Sequence, residues 1–328
     1  VADGSVVGHD RVQAVLARAI QAGRLPPALL LTGPEGVGKR TVALSAARAL
    51  VCEAARGVAC EACPACRRAA RGLHPDVLLV EPETSAMKTS AIKIEQVRDM
   101  AREVLALPFE GRARGFVVDD AHVMTEQAGN ALLKSLEEPP ATSHVFLVTA
   151  SPQALLPTIR SRCQTLRLGP LPPALLESFL RDRAGLTAEE ARLRAAISGG
   201  SIGAALALDS DAYRASRNEL LSVLERAGTI GAVERMEAAQ RLADLEDPAL
   251  VLTTLRSLLR DALVLRSGGG TGSLLNADVE ERLLALARGP LGERAAALAE
   301  AAGETREALR LNANRLLSMD VLMDGLAG

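Results

Sequence analysis

Residues 28–41 read Ala-Leu-Leu-Leu-Thr-Gly-Pro-Glu-Gly-Val-Gly-Lys-Arg-Thr, an apolar run that breaks into a glycine-rich loop and ends on two cations and a threonine. The loop fits the phosphate-binding pattern G-x-x-x-x-G-K-[ST] at every position but the last. In that pattern glycines let backbone N–H groups wrap phosphates, the lysine reaches the outer ones, and the next hydroxyl holds Mg²⁺. Gly33, Gly36, Gly38 and Lys39 keep the frame, but the hydroxyl position is Arg40, a cation that cannot ligate Mg²⁺ and would repel it. The nearest hydroxyl, Thr41, comes one residue late. The frame can hold the phosphates of ATP or ADP without good Mg²⁺ chemistry, and the sequence leaves open whether it does.

Working outward, periodicity predicts a helix over 11–22, a strand over 28–32 and a helix over 39–51. Short apolar runs at 77–80, 115–119 and 144–149 suit buried parallel strands. A helix over 94–105 is expected between them, with Ile94, Val97, Ala101 and Val104 on one face. The layout is α/β with a central parallel sheet. Gly169-Pro170-Leu171-Pro172-Pro173 is a rigid connector, after which the strand signal stops. Residues 174–208 read as three short helices, with Thr187 and Glu190 forming a capping box. From 210 onward the pattern stays helical, with Leu252, Leu255, Leu259 and Ala262 on one face and a flexible loop over 267–273.

A length of 328 residues suits two or three domains, and 48% hydrophobic content is ample for soluble cores. Thirty-eight Lys and Arg against forty Asp and Glu leave a net charge of −2, without the basic excess of a self-sufficient nucleic-acid binder. With no Trp, one Tyr and four Phe, base stacking on a row of rings is disfavoured. The first residues carry no basic region followed by an apolar core, and no run has the length of a membrane span, so a cytoplasmic protein is expected.

Three further groups carry chemistry. Phe116-Val117-Val118-Asp119-Asp120 is a strand ending in two acids, of which Asp119 would assist Mg²⁺ and Asp120 would polarise the attacking water. The second is normally Glu, and the shorter Asp120 pulls its carboxylate back from that water. Cys52, Cys60, Cys63 and Cys66 give C-x₇-C-x₂-C-x₂-C, a spacing that wraps a chain around one tetrahedral Zn²⁺ with no vacant position, hence a structural site. His74 is the alternative ligand, although a loop histidine before Pro75 is by default solvated. Ser161-Arg162-Cys163 precedes the last strand; taken alone, Arg162 is a solvated charge.

Taken together, residues 28–168 resemble the bacterial DNA polymerase III clamp-loader subunits, a branch of the AAA+ ATPases. The resemblance rests on Gly8-His9-Asp10, the altered loop, the four-cysteine insert, His74-Pro75-Asp76, the segment Asn130-Ala131-Leu132-Leu133-Lys134-Ser135-Leu136-Glu137-Glu138-Pro139-Pro140, and Ser161-Arg162-Cys163. It implies a RecA-like AAA+ domain over 1–168 with the zinc insert at 52–66, a helical lid over 169–209, and an all-α collar over 210–328. Leu311-Asn312-Ala313-Asn314-Arg315-Leu316-Leu317 is similar to the family's collar.

Within that family, subunits of the gamma/tau type hydrolyse ATP and are expected to have Lys-Thr at 39–40, Asp-Glu at 119–120, and an Arg in the lid segment that here reads Gly200-Ser201-Ile202-Gly203. All three positions depart, which resembles the stationary delta-prime type. The resemblance then implies that Arg162 acts as an arginine finger in trans on a neighbouring ATPase subunit. It implies as partners gamma/tau-type ATPases, the delta subunit, the sliding clamp (beta) and primer-template DNA reached through the ring, with no membrane. Lys134 would face the DNA, unless it is only a solvated charge. The alternative from the enzyme class is a gamma/tau-type subunit with its own turnover.

Overall fold

The computed structural model describes residues 6–84, 90–137, 139–226, 231–244, 248–310 and 313–327. Five parallel strands form the main sheet: β1 (Ala28–Thr32), β2 (Val77–Val80), β3 (Arg114–Val118), β4 (Ser143–Thr149) and β5 (Gln164–Arg167), in the order β2-β3-β4-β1-β5. α1 (Asp10–Gln21) precedes β1. Parallel pairing requires crossovers, and helices supply them: α2 (Lys39–Val51), α3 (Pro64–Ala70), α4 (Ile94–Val104), α5 (Glu126–Glu137) and α6 (Pro157–Arg160). The expected RecA-like α/β class is the one found.

Residues alternate faces along each central strand, so one run of leucines serves two cores. Leu29 and Leu31 of β1 pack with Leu16 of α1 and with Val42, Ala46 and Leu50 of α2. Ala28 and Leu30 pack on the other side with Val97 and Met100 of α4 and Leu132 and Leu136 of α5. Strands covered on both sides read as continuous apolar runs, which is why β1, β3 and β4 were legible. The edge strand β5 is largely exposed and carries Gln164, Thr165 and Arg167, so it gives no such run.

The chain divides into two compact units. One runs to Gly185, including α7 (Pro173–Ala184), and takes in Gly199–Ala204. The other takes Leu186–Ser198 and everything from Ala205 on, with α8 (Ala188–Ile197), α10 (Ser210–Arg226), α11 (Ala232–Asp244), α12 (Pro248–Arg266), α13 (Glu280–Arg288), α14 (Pro290–Arg310) and α15 (Arg315–Ala327); the short α9 (Ile202–Ala207) begins in the first unit and ends in the second. In the second unit, Leu252, Leu255 and Leu259 of α12 are buried against Leu220, Leu224, Leu298 and Met319, as the helical periodicity predicts. Only half of the capping box at Thr187 forms. Its hydroxyl accepts the Glu190 N–H at 3.3 Å, but the Glu190 carboxylate turns to Arg194, at 2.7 Å, and to Ser210. No described helix is long and apolar enough to cross a membrane.

Candidate functional site

The glycine loop joins the carboxyl end of β1 to the amino end of α2, the edge where open parallel sheets bind ligands. Gly33 has φ 148°, and a Cβ there would lie 2.0 Å from the Leu168 carbonyl oxygen. Gly36 has φ 68°; its Cβ would lie 2.3 Å from Ser201 Oγ, and its carbonyl accepts the Gly203 N–H at 3.0 Å. Only glycine satisfies either position. Gly38, at φ 101°, leads into α2. Lys39 is buried, with Nζ donating to the Pro34 carbonyl at 2.6 Å. Burial lowers its pKa, against the pull of Asp120, Glu35 and Asp119. Thr41 is half-buried in the first turn of α2.

At the same edge β3 ends at Val118, and the Asp119 N–H donates to the Val80 carbonyl at 2.9 Å. Arg40 reaches across from α2, its Nη1 lying 2.5 Å from Glu81 Oε1 and 3.3 Å from Asp119 Oδ2. Burial, with Asp120 beside it, pushes the Asp119 carboxyl upward, and Arg40 opposes the shift. Asp120 takes a left-handed conformation at φ 45°, with half its side chain exposed. These donors do not fit Mg²⁺: the hydroxyl is gone, and the carboxylate that would meet the ion meets a guanidinium.

At the other end of α2, Cys52 caps the helix and Cys60, Cys63 and Cys66 gather around it. All four sulfurs lie within 4.8 Å of one another, and Cys60 and Cys66 Sγ are 4.0 Å apart. Four Zn–S bonds of about 2.3 Å imply sulfurs about 3.8 Å apart, so the cluster can hold one tetrahedral ion with slight contraction. Backbone N–H groups of Ala55, Cys63 and Cys66 point at the sulfurs of Cys52, Cys60 and Cys63, at 3.3, 3.3 and 3.4 Å. Burial opposes ionisation of Cys63, but hydrogen bonds from the Cys66 and Glu53 backbone and from neighbouring thiols bring its pKa to about 6. Burial and the Cys63 thiol push Cys66 up to about 12. The fifth thiol, Cys163, stands outside the cluster, raised to about 11 by burial.

His74 is not the solvated loop residue expected. It is 3% exposed, its Nδ1 accepts the Asp76 N–H at 3.1 Å, and Nε2 lies 3.5 Å from Glu110, which also pairs with Arg68 of α3. Nor does it join the thiol cluster. The adjoining Asp76 is fully buried and accepts the N–H groups of Phe109, Glu110 and Gly111 at 2.7, 2.9 and 2.7 Å, with Arg114 Nε 3.3 Å away.

Arg162 lies at the opposite end of the sheet. It precedes β5, whose Gln164 pairs with Leu29 of β1, whereas the phosphate loop follows Thr32. Four residues of strand rise, roughly 13 Å, separate the Leu29–Gln164 level from Gly33, and Arg162 lies before that level. The guanidinium is held at the surface by Glu137, at 2.6 Å, and by the Thr158 carbonyl, at 3.0 Å. Lys134 is exposed on α5, lining a groove of about 440 Å³ with Arg98 and Arg102 of α4. Glu138, Leu311 and Asn312 lie outside the described residues.

Sequence reading missed Glu81 and the Asp76–Arg114 pair. An acid directly after the apolar run 77–80 was the available signal for Glu81, since β2 ends beside β3.

The profile of the family described as "DNA polymerase III, delta subunit" matches residues 8–172. The DNA polymerase III subunit delta' of Bacillus subtilis is 34% identical over 217 residues, covering 66% of this chain and 64% of that protein. Its counterpart in Escherichia coli is 32% identical over 265 residues, covering 80% and 77%. The DNA polymerase III subunit tau of Salmonella typhimurium is 31% identical over 312 residues, covering 86% and 47%. The chain thus spans just under two thirds of the first of these relatives and about half of the third.

Proposed function

The chain belongs to the family of the DNA polymerase III delta subunit, and from that premise we propose that it is the delta-prime-type, stationary subunit of a bacterial clamp loader acting in DNA replication in the cytoplasm. In this reading it hydrolyses no ATP itself. It assembles with gamma/tau-type ATPase subunits and the delta subunit, and the ring places the sliding clamp (beta) on primer-template DNA. Residues 1–168 act as the AAA+ domain, 169–209 as the lid and 210–328 as the collar that meets the other subunits. Zn²⁺ sits on Cys52, Cys60, Cys63 and Cys66 and orders the insert 52–66.

One observation carries the reading: Arg40 is held against Asp119, so the carboxylate that hydrolysis needs for its metal is already paired. Asp120 and the lid segment Gly200-Ser201-Ile202-Gly203 lack the longer acid and the arginine that a hydrolysing subunit would bring there. Arg162, far from its own chain's loop, is available only to a neighbour, whose phosphoryl transfer an arginine finger accelerates by roughly 10³ to 10⁵. Lys134, on the face of α5, would meet DNA inside the ring. The similarity to the tau subunit sustains the gamma/tau reading as the alternative, since tau and delta' match at nearly equal identity.

ATP hydrolysis by the isolated chain separates the two. The stationary reading predicts no turnover above background with Mg²⁺, and turnover abolished by Lys39→Ala would instead establish a gamma/tau-type enzyme.

A further inference from the structure

We infer that Arg40 is the resident cation of this pocket: a guanidinium seated where a divalent ion would stand, and the single residue that closes the site to Mg²⁺. The inference deepens one part of the proposed function, the reading of residues 33–41 as a nucleotide loop, and does not depend on the ring.

The charges around the loop require a cation at this point. Glu35, Asp119 and Asp120 act on Lys39, while Glu81 and Asp119 face Arg40. Four carboxylates therefore surround two side-chain cations, and removing Arg40 would leave a single lysine among them. In a working loop the divalent ion supplies the missing positive charge. Here Nη1 of one side chain touches both Glu81, just past β2, and Asp119, just past β3, joining the ends of two strands to the first turn of α2.

A tethered cation also competes well with a free one, because its effective concentration at the carboxylates is set by a few bonds rather than by solution. Mg²⁺ needs near-octahedral oxygen ligands at 2.0–2.1 Å and gives up water reluctantly, so it has little to offset displacement of the arginine. Thr41 cannot serve as the missing ligand, since one residue along a helix turns a side chain by about 100° around the axis. Within the loop itself the phosphate cradle is in place: Gly33, Gly36 and Gly38 keep their positive φ, and Lys39 follows them. Within the loop, the loss of the metal ligand is confined to Arg40 and is reversible.

The test is binding of a fluorescent N-methylanthraniloyl-ADP to the purified full chain, in Mg²⁺ and in EDTA. The wild type should show the same affinity in both, within about twofold. Arg40→Thr should bind at least about tenfold tighter in Mg²⁺ than in EDTA, and Arg40→Lys, which keeps a cation, should remain indifferent to Mg²⁺. Arg40→Ser restores a hydroxyl by a second route should the threonine variant fold poorly, and thermal melting checks each variant. Wild-type binding that requires Mg²⁺ overturns the inference without any variant. A folded Arg40→Thr with no gain from Mg²⁺ also overturns it, and so does an Arg40→Lys that gains as much as Arg40→Thr. Since these readouts use no partner subunit, their failure is distinct from failure to assemble a ring or from turnover by the isolated chain.

Discussion

Helix α2 has a metal-type site at each end, and the two have fared differently. At its carboxyl end Cys52 joins three further thiols, and every ligand a tetrahedral ion needs is there. At its amino end the backbone cradle survives while the metal ligand has become Arg40, paired with Glu81 and Asp119. A structural site works only as a complete set, because its binding energy is folding energy. A phosphate loop can lose its metal ligand and still serve as a folded joint, because glycine conformation and a buried lysine do not depend on the ion. On the proposed reading, the difference separates what this chain uses to fold from what it no longer uses to react.

The strongest way to break that contrast is at the thiols. Replacing Cys60 and Cys63 by serine should release about one zinc per chain by elemental analysis and destabilise the insert by on the order of 10 kcal/mol, read as rapid proteolysis within 52–66. A metal-free wild type that is fully folded would remove the complete member of the pair. Next in size is Asp76, whose three N–H donors hold residues 109–111 in place beside α3, where Glu110 meets Arg68. Asp76→Ala strips the Phe109, Glu110 and Gly111 N–H groups of their acceptor and leaves the buried Arg114 with only the half-exposed Glu103 as its acid, at 2.8 Å, so a loss of roughly 3–5 kcal/mol by denaturant unfolding is expected.

The same carboxyl predicts a pH dependence. Burial works against its ionisation, but the N–H groups of Phe109, Glu110 and Gly111, aided by Arg114, hold it below its ordinary value of 3.8. A depressed carboxyl contributes fully above its unfolded value and loses that contribution as pH falls through the folded one. Wild-type stability should therefore drop below about pH 4, and part of that drop should vanish in Asp76→Ala. The smallest effect is expected at the amino end of α2: Glu81→Ala breaks an ion pair with about half of each side chain exposed and should cost under about 1 kcal/mol. A larger loss there would mean that Arg40 is a folding element as much as the thiols are, and the contrast would blur.

Strand β1, the loop and α2 were legible because motif and periodicity agree over residues 28–51, and the thiol cluster because its spacing admits few other uses. Helix limits came within a residue or two where one face is apolar, as over 94–105. What escaped depends on tertiary neighbours. Glu81 is forty-one residues from Arg40, and its place after the run 77–80 marks a strand end without saying which cation it meets. His74 precedes a proline, a context that usually means a solvated loop, yet it is buried beside Glu110. The remoteness of Arg162 from its own phosphate loop follows from the β1–β5 register, which no single segment reveals.

The central claim is that a chain unable to use its own metal lends a guanidinium to another. It is tested most directly by ATP hydrolysis of a ring reconstituted from gamma-type ATPase subunits, delta and either this chain or its Arg162→Ala variant. The account predicts unchanged assembly and a rate lower by roughly 10³ or more at the site this chain completes; an unchanged rate in the intact variant ring would contradict it.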